Sequence, residues 1–523
     1  MTDLPIMVAT AFVLGVAARF IRLPPLVGFL IAGFALKGAG YESSQALQKI
    51  ADIGVTLLLF SIGLKLQIKT LLKPVVWAGA TIHMALFVAL FGALFYALDF
   101  GMFRGTDFSN AALIAFALSF SSTVFAVKTF DGQGQSSSLA ASTAIGILIM
   151  QDVIAVVFLA ASKGVPPSPW ALALLLLIPA RVLFKRLMER SGHGELLILL
   201  AFLMAFGGYT VFEGVNLKGD LGALVMGMLV ADHPKAQEMA KSMLGFKDIM
   251  LVGFFLTIGL LGIPSVADLG VALLLVALIP IKVALYFGVM TRFNLRARTS
   301  LLASLGLSTY SEFGLIVGAL GVKMGWLTDQ WLVIIAVSVA GTFIIASPLN
   351  AAANQLYDRY RAFLRRFEKS KRLPEEQPVS VGQAEVLIVG MGGLGTAAYD
   401  AIVEDFGARV CGIDNNRQTV ARHVELGRNV VAGDPTDLDF WDRVSRDHTV
   451  KVAMLALPNH EANLAATEEI RKFEERSGET LLTATARFED EIAELKEHGV
   501  DEAFNLNTEA GAGYAHLVRK LLR

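Results

Sequence analysis

The sequence predicts a polytopic α-helical membrane protein of about 13 transmembrane helices, joined to a C-terminal α/β domain of Rossmann type. Three observations carry that prediction. Of 523 residues, 54% are hydrophobic and only 17% charged, whereas a soluble domain carries about 25% charged residues. Charge is unevenly placed: Lys/Arg minus Asp/Glu is +6 over residues 1–353 and −7 over residues 354–523. The C-terminal third alternates buried-strand runs with helical ones and has a glycine-rich turn after its first strand. An acidic soluble part excludes a nucleic-acid binder, which needs a clustered basic surface. The single cysteine, Cys411, excludes an intramolecular disulfide framework. Three regions follow: a membrane domain at 1–353, a basic amphipathic connector at 354–384 and a soluble domain at 385–523.

Cutting residues 1–353 at charged, proline and glycine clusters leaves thirteen apolar segments. A spanning helix takes about 20 residues, yet Pro25–Leu36 and Lys218–Ala231 are short, as segments packed inside a bundle often are. With the N-terminus outside, the cytoplasmic loops hold 16 Lys/Arg and the external loops 6. That asymmetry sets the orientation and delivers the C-terminal domain to the cytoplasm, where a lone thiol stays reduced.

An internal repeat is visible. Asp52-Ile53 followed by Phe60-Ser61-Ile62-Gly63-Leu64 recurs 196 residues later as Asp248-Ile249 followed by Leu256-Thr257-Ile258-Gly259-Leu260. An odd number of crossings separates the copies, so they run in opposite directions through the membrane. Asp52, Glu195 and Asp248 are read as solvated helix-end residues at predicted span ends.

Each copy of an inverted repeat contributes one broken helix to a site near mid-membrane. Ser119-Phe120-Ser121-Ser122-Thr123 interrupts an apolar helix in the first half, and Leu307-Ser308-Thr309-Tyr310-Ser311-Glu312 does so in the second. In the next helix of the first half, Gln151-Asp152 sits inside an otherwise apolar run. An ionised carboxylate at that depth costs at least ~2.5–3.5 kcal/mol on insertion scales and marks a functional position. Burial favours the protonated carboxyl and a nearby cation favours the carboxylate, so Asp152 holds a proton or a metal cation but not both. Gln151, Ser121, Ser122 and Thr123 are candidate neutral ligands. Lys282, mid-span, either pairs with Asp152 or fixes the C-terminal end of a broken helix. Glu312 is a helix-end counter-charge, a proton relay or a gate; Ser308 lies in the same break. His83 reads as a packed core residue.

These residues resemble the monovalent cation:proton antiporter-2 family, and within it the Kef-type potassium:proton antiporters. The likeness rests on the Gln151-Asp152 pair, the Ser-Ser-Thr break, the Asp-Ile-Gly…Phe-Ser-Ile-Gly-Leu helix, and Leu307-Ser308…Glu312-Phe313 after Lys282. It implies an inverted-repeat sodium/proton-antiporter-like fold, an elevator movement of an ion-carrying core, and one-for-one exchange because the pair holds a single acid. The chain departs from many Kef-type sequences in having Tyr310-Ser311 before Glu312-Phe313. Carboxylate, amide and hydroxyl oxygens suit K+ and Na+ alike; the resemblance favours K+.

In the soluble part, Val386-Leu387-Ile388-Val389 leads into Gly390-Met391-Gly392-Gly393-Leu394-Gly395, then a helix and a second strand ending at Asp414-Asn415. Strand, turn, helix and terminal acid stand in the order of a dinucleotide fold. The glycines admit phosphates to backbone N–H groups, and Asp414 suits ribose hydroxyls. Further strand runs lie at 429–431, 450–456 and 480–484. The domain resembles the RCK N-terminal (TrkA-N/KTN) nucleotide-binding domain of potassium systems. That resemblance implies an AMP-type nucleotide or NAD(H) as regulatory ligand, a homodimer, and roles near the adenine for Asp434 and Thr436. No catalytic His, Cys or Tyr constellation accompanies the glycine turn, so ligand sensing outranks hydride transfer. Two alternatives remain: a Na+/H+ antiporter of the same fold, and a nucleotide-gated K+ channel, against which no stacked-carbonyl filter sequence appears. No glutathione-contact motif is evident.

Overall fold

The structure, a computed structural model, describes residues 4–20, 25–65, 72–98, 103, 106–133, 135, 138–162, 168–217, 219–373, 376–377, 380–437, 440–441, 444, 450–457, 459–477 and 480–521. Two units divide the chain: Met1–Ala126, Thr143–Phe293 and Ala303–Ala351 make the first, and Val127–Ser142, Asn294–Leu302 and Ala352–Arg523 the second. Arg22, Lys69, Arg104, Lys163 and Lys218, five of the counted loop cations, lie outside the described residues.

The membrane helices begin with α1 (Leu4–Phe20), α2 (Pro25–Gly38), α3 (Gln45–Lys65) and α4 (Pro74–Ala97). An interrupted helix follows as α5 (Phe108–Ser119) and α6 (Thr123–Gly132), then α7 (Leu139–Ser162). A 3-10 segment, Pro169–Leu176, runs into α8 (Leu177–Arg190), which leads to α9 (Glu195–Glu213), α10 (Gly219–Val230) and α11 (Ala236–Gly259). After α12 (Val266–Val276) and α13 (Ile279–Arg292) comes a second interrupted helix, α14 (Ala297–Gly306) and α15 (Glu312–Lys323), and finally α16 (Asp329–Ala351).

Local chemistry sets many of these boundaries. Pro74 opens α4 at a position where the missing N–H costs nothing. Ser265 and Asp268 form a reciprocal capping box on α12. Ser311 Oγ accepts from Phe313 N at 3.1 Å to start α15, and Gly325, at φ +73°, turns the chain after it. Five stretches among the described residues are by themselves long and apolar enough to cross a bilayer: 74–97, 108–132, 195–213, 266–292 and 329–351. The short apolar helices α2 and α10 stand where short spans were expected. One expectation needs correcting: Asp52 lies two turns inside α3, because that helix starts at Gln45 rather than at the edge of the apolar run. Hydropathy locates the segment that suits lipid, not the polar turns that prolong the helix beyond it. The Asp248 side chain lies outside what is described.

Packing in the first unit bears the mark of the repeat. The starts of α1, α2, α3, α4, α5 and α7 precede those of α9, α10, α11, α12, α14 and α16 by 189 to 194 residues. A Cβ on Gly63 of α3 would meet Leu224 O at 2.2 Å and Gly227 Cα at 3.0 Å on α10. A Cβ on Gly259 of α11 would meet Gly33 Cα and Leu30 O, both at 2.6 Å, on α2. The two crossings are the same contact made twice, each half's long helix notching into the other half's short one. Near the centre α3 crosses α11, with Gly54 against Met250, residues related by the 196-residue offset. Aromatic packing stiffens α4, where Phe87, Phe91 and Phe95 pack in turn with tilted rings, Phe95 stacks on Phe103, and Phe103 meets Trp331 edge-on. Large apolar side chains such as Phe12, Leu172, Leu199 and Leu273 stay exposed, a surface suited to lipid.

In the second unit α17 (Ala353–Leu364) precedes a parallel sheet: β1 (Val386–Val389), α18 (Gly393–Phe406), β2 (Val410–Asp414), α19 (Arg417–Glu425), β3 (Val430–Ala432), β4 (Val452–Leu455), α20 (His460–Ser477), β5 (Leu481–Ala486), α21 (Glu489–Glu497), β6 (Glu502–Asn505) and α22 (Leu506–Leu521). The strand order is β3-β2-β1-β4-β5-β6, with Val386 paired to both Val410 and Val452. Leu387 and Val389 pack into one core with Cys411 and Leu455. Val386 and Ile388 pack into another with Val410 and Tyr399. Both faces are covered, as a parallel sheet requires. Burial pushes the Cys411 thiol up to about 12. The sequence reading missed β6, whose Glu-Ala-Phe-Asn is half polar because it lies at the sheet edge.

The glycine notches yield a stability prediction. Gly63→Val drives a side chain into the α10 backbone and should destabilise the protein by roughly 1–3 kcal/mol or more. Gly207→Val, with nothing within 4 Å, should leave the melting temperature in detergent within a few degrees of the parent.

Candidate functional site

A helix broken inside a bilayer exposes carbonyls and N–H groups that lipid cannot satisfy, at several kcal/mol each. In the first unit these groups are answered by side chains from α7, α13 and the opposite break. Gln151 of α7 accepts from Ser121 N at 3.0 Å through Oε1, and its Nε2 donates to Tyr286 Oη at 2.7 Å and Ser119 O at 3.3 Å. Ser121 Oγ donates to Leu307 O at 2.8 Å, tying the first break to the second. Lys282 of α13 donates to Leu118 O, Phe120 O and Thr309 O at 3.2, 2.8 and 3.0 Å, its Nζ lying 4.9 Å from the Tyr310 ring centroid. Among the described residues, Lys282 is therefore bonded to the carbonyls of both breaks rather than to Asp152.

Opposite charge serves the opposite helix ends. Ser122 Oγ accepts from Phe125 N and caps α6, and the same hydroxyl donates to Glu312 Oε2 at 3.3 Å. Glu312 is the first residue of α15. Its carboxylate thus stands at two helix N-termini while the Lys282 ammonium stands at the C-terminal carbonyls, each favoured by the local dipole. Ser308 Oγ donates to Leu305 O at 2.6 Å, a bond internal to its own helix end. Tyr310, the residue at which the chain departs from many Kef-type sequences, donates its hydroxyl to Leu275 O at 2.6 Å, where α12 ends. His83 is fully buried, stacked on Tyr286 with ring centroids 3.4 Å apart. Tyr286 lies four residues after Lys282 on one helix face, a spacing that could have flagged it.

Asp152 is 1% exposed, and its Oδ2 has no hydrogen-bond partner among the described residues. The same holds for Thr123 Oγ1 at the start of α6. Of the predicted ligand set, Gln151, Ser121 and Ser122 are already spent on the breaks, whereas Asp152 and Thr123 keep unused capacity. A buried oxygen of this kind takes up a proton or a cation. No group of three or more His, Cys, Asp or Glu gathers into a metal centre among the described residues.

The second unit holds the glycine turn. Gly390 has φ +98°, and a Cβ there would meet Ala456 O at 2.6 Å. A Cβ on Gly395 would strike Gly390 O, so α18 packs tight against β1. Gly392 and Gly393 face open space at the N-terminus of α18, where phosphate oxygens are favoured; Leu394 beside them is partly exposed. Asp414 accepts from Met391 N at 2.8 Å and Asn416 N at 2.7 Å, which fixes the turn and leaves further lone pairs for hydroxyls. Asn415 and Asp434 line a cavity of about 100 Å³ together with Arg296, Arg298, Arg417 and Gly433. Asp434 is also ion-paired to Arg298 at 2.8 Å, and Thr436 accepts from Gln135 Nε2 at 3.1 Å. Burial raises the Glu376 carboxyl above the ordinary range against the pull of Arg296.

The chain matches the family described as "Sodium/hydrogen exchanger, transmembrane" over residues 7–351 and the TrkA-N domain over residues 386–506. It is 25% identical over 520 residues to the "Glutathione-regulated potassium-efflux system protein KefC" of Salmonella schwarzengrund, covering 94% of this chain and 80% of that protein. The protein of the same name from Escherichia fergusonii is 24% identical over 524 residues with the same coverage. The solved structure of the sodium proton antiporter MjNhaP1 from Methanocaldococcus jannaschii covers 70% of this chain and 97% of its own, at 16% identity and a TM-score of 0.45. These are transporters, not enzymes. The chain belongs to the sodium/hydrogen exchanger family of membrane antiporters, as a Kef-type member carrying a C-terminal TrkA-N domain.

Proposed function

We propose that the protein exchanges a monovalent cation, K+ before Na+, for H+ across the bacterial inner membrane, with Asp152 as the single carrier. The observation that carries this reading is the buried Asp152 carboxyl whose Oδ2 has no partner among the described residues, on the helix that holds the first break through Gln151. A neutral, protonated Asp152 crosses apolar surroundings cheaply; deprotonated, it crosses only with a cation to compensate it. Either form presents a near-neutral core, and alternation between them couples the two fluxes one for one. Thr123 Oγ1 supplies a neutral oxygen at the start of α6. Lys282 and Glu312 hold the ends of the broken helices, so the core moves as one body in an elevator step. The relatives' names carry potassium, which favours K+ here; their glutathione control is not transferred.

The second unit is the regulatory part of this reading: an adenine nucleotide, AMP or NAD(H), places its phosphates at Gly390, Gly392, Gly393 and Gly395 and its ribose at Asp414. The protein works as a homodimer with the N-terminus outside and the soluble domain cytoplasmic, an orientation that the lysine and arginine count supports. The boundaries 1–353, 354–384 and 385–523 are proposed as its functional divisions.

Asp152→Asn should reduce K+-dependent pH-gradient dissipation in proteoliposomes to the leak of empty vesicles, a loss of roughly 100-fold or more. Ser308→Ala, which loses one helix-internal bond, should stay within about twofold. Full exchange by Asp152→Asn rejects the carrier. Gly392→Asp sets a carboxylate where phosphate would bind and should weaken AMP and NADH binding by about tenfold or more in calorimetry. Unchanged affinity rejects the glycine turn as the phosphate site.

A further inference from the structure

The second unit contains two pieces of the membrane-helix sequence, Val127–Ser142 and Asn294–Leu302, along with the TrkA-N domain. Their side chains are bonded into the loop that follows β3. Arg298 donates through Nη1 to Asp434 Oδ2 at 2.8 Å and through Nη2 to Thr436 O at 2.8 Å and Thr436 Oγ1 at 3.1 Å. Arg296 donates to Asp437 Oδ2 at 2.8 Å. Gln135 donates to Thr436 Oγ1, and Asp434 Oδ1 accepts from Thr436 N and Oγ1 at 3.0 and 2.7 Å. Both arginines are buried, and each is compensated by a pair of acids, Arg298 by Asp434 and Asp437 and Arg296 by Asp437 and Glu376.

The cavity of about 100 Å³ opens onto this same cluster. Its wall runs from Asn415 and Arg417 after β2, through Gly433 and Asp434 after β3, to Arg296 and Arg298 of the 294–302 piece and Ser138–Ala140 at the start of α7. In a doubly wound sheet the edge beyond β2 and β3 is where the nucleoside end of a ligand lies once its phosphates occupy the turn after β1. A ligand seated there touches Asp434, the Arg298 that Asp434 holds, and Arg296.

We propose that Arg296, Arg298 and the first turn of α7 complete the nucleoside pocket, and that Arg298 transmits its occupancy to the transport helices; this rests on the nucleotide reading above. The carriers are continuous helices. Arg298 stands in the first turn of α14, the helix that ends at the second break, and Ser138–Ala140 lead into α7, which bears Gln151 and Asp152. A ligand that draws Asp434 toward its base or ribose loosens Arg298, and one that packs against Arg298 fixes it. Either shift moves helices that hold the breaks.

The test compares binding with transport in the full-length protein. AMP and NADH are titrated by calorimetry, and K+/H+ exchange is measured in proteoliposomes with and without each. In the parent, the ligand that binds should change the exchange rate at least about threefold. Arg298→Gln removes one wall of the pocket and should weaken binding several-fold, and at ligand concentrations that saturate the variant the rate ratio should still collapse to one. Thr436→Val, nearly isosteric, removes the hydroxyl shared by Gln135 and Arg298 and should at least halve the effect if Arg298→Gln proves too unstable to purify. A parent-sized ratio in the folded Arg298→Gln protein, or in Thr436→Val when it is the only one obtained, overturns the proposal. Absence of AMP and NADH binding to the parent is a different failure, one that removes the nucleotide reading itself.

Discussion

Two helices interrupted within a bilayer set the terms for the whole membrane domain. Each break frees backbone groups that neither lipid nor a neighbouring strand can satisfy, so every element around them is committed to supplying partners. Lys282 takes three carbonyls from the two breaks, Gln151 takes one N–H and one carbonyl, and Glu312 reaches from one helix N-terminus toward another. Because these partners are used up, the next residue of α7, Asp152, is left with an open oxygen. The proposed carrier role rests on that oxygen.

The inverted repeat explains how one chain builds two such breaks and brings them together. The paired notches, Gly63 on α10 and Gly259 on α2, lock the halves through the same close approach used twice. Only glycine allows helix axes so close, which is why the repeat signature survives in its Gly-Leu ends. Exchange of contacts between halves also means that neither half has a complete core of its own.

Much of this was legible in the sequence because it follows from hydropathy and punctuation. Thirteen apolar segments, the serine-rich breaks, the glycine turn and the strand alternation all have local signatures. What was hidden is non-local. Lys282 carries no mark in the sequence that separates a carbonyl clamp from a salt bridge to Asp152; only the position of the first break relative to α13 decides. Gln151 looked like an ion ligand, yet its amide is spent on the peptide groups of the break. The bonds that the Tyr286 and Tyr310 hydroxyls make to Gln151 and Leu275 O are non-local in the same way. Arg296 and Arg298 were counted only as orientation-setting loop charges, since nothing near them in sequence announces Asp434 or Asp437. The edge strand β6 went unseen for the opposite reason, a local pattern too polar to read.

The central claim is that one carboxyl is shared between a proton and a cation, and proton release on cation binding tests it most directly. Purified protein in weakly buffered detergent at a pH where Asp152 is protonated should release close to one proton per chain when K+ is added, read with a pH dye. The apparent K+ affinity should fall about tenfold for each pH unit of acidification below that carboxyl's titration. Saturable K+ binding without proton release, at an affinity indifferent to pH, would contradict the account.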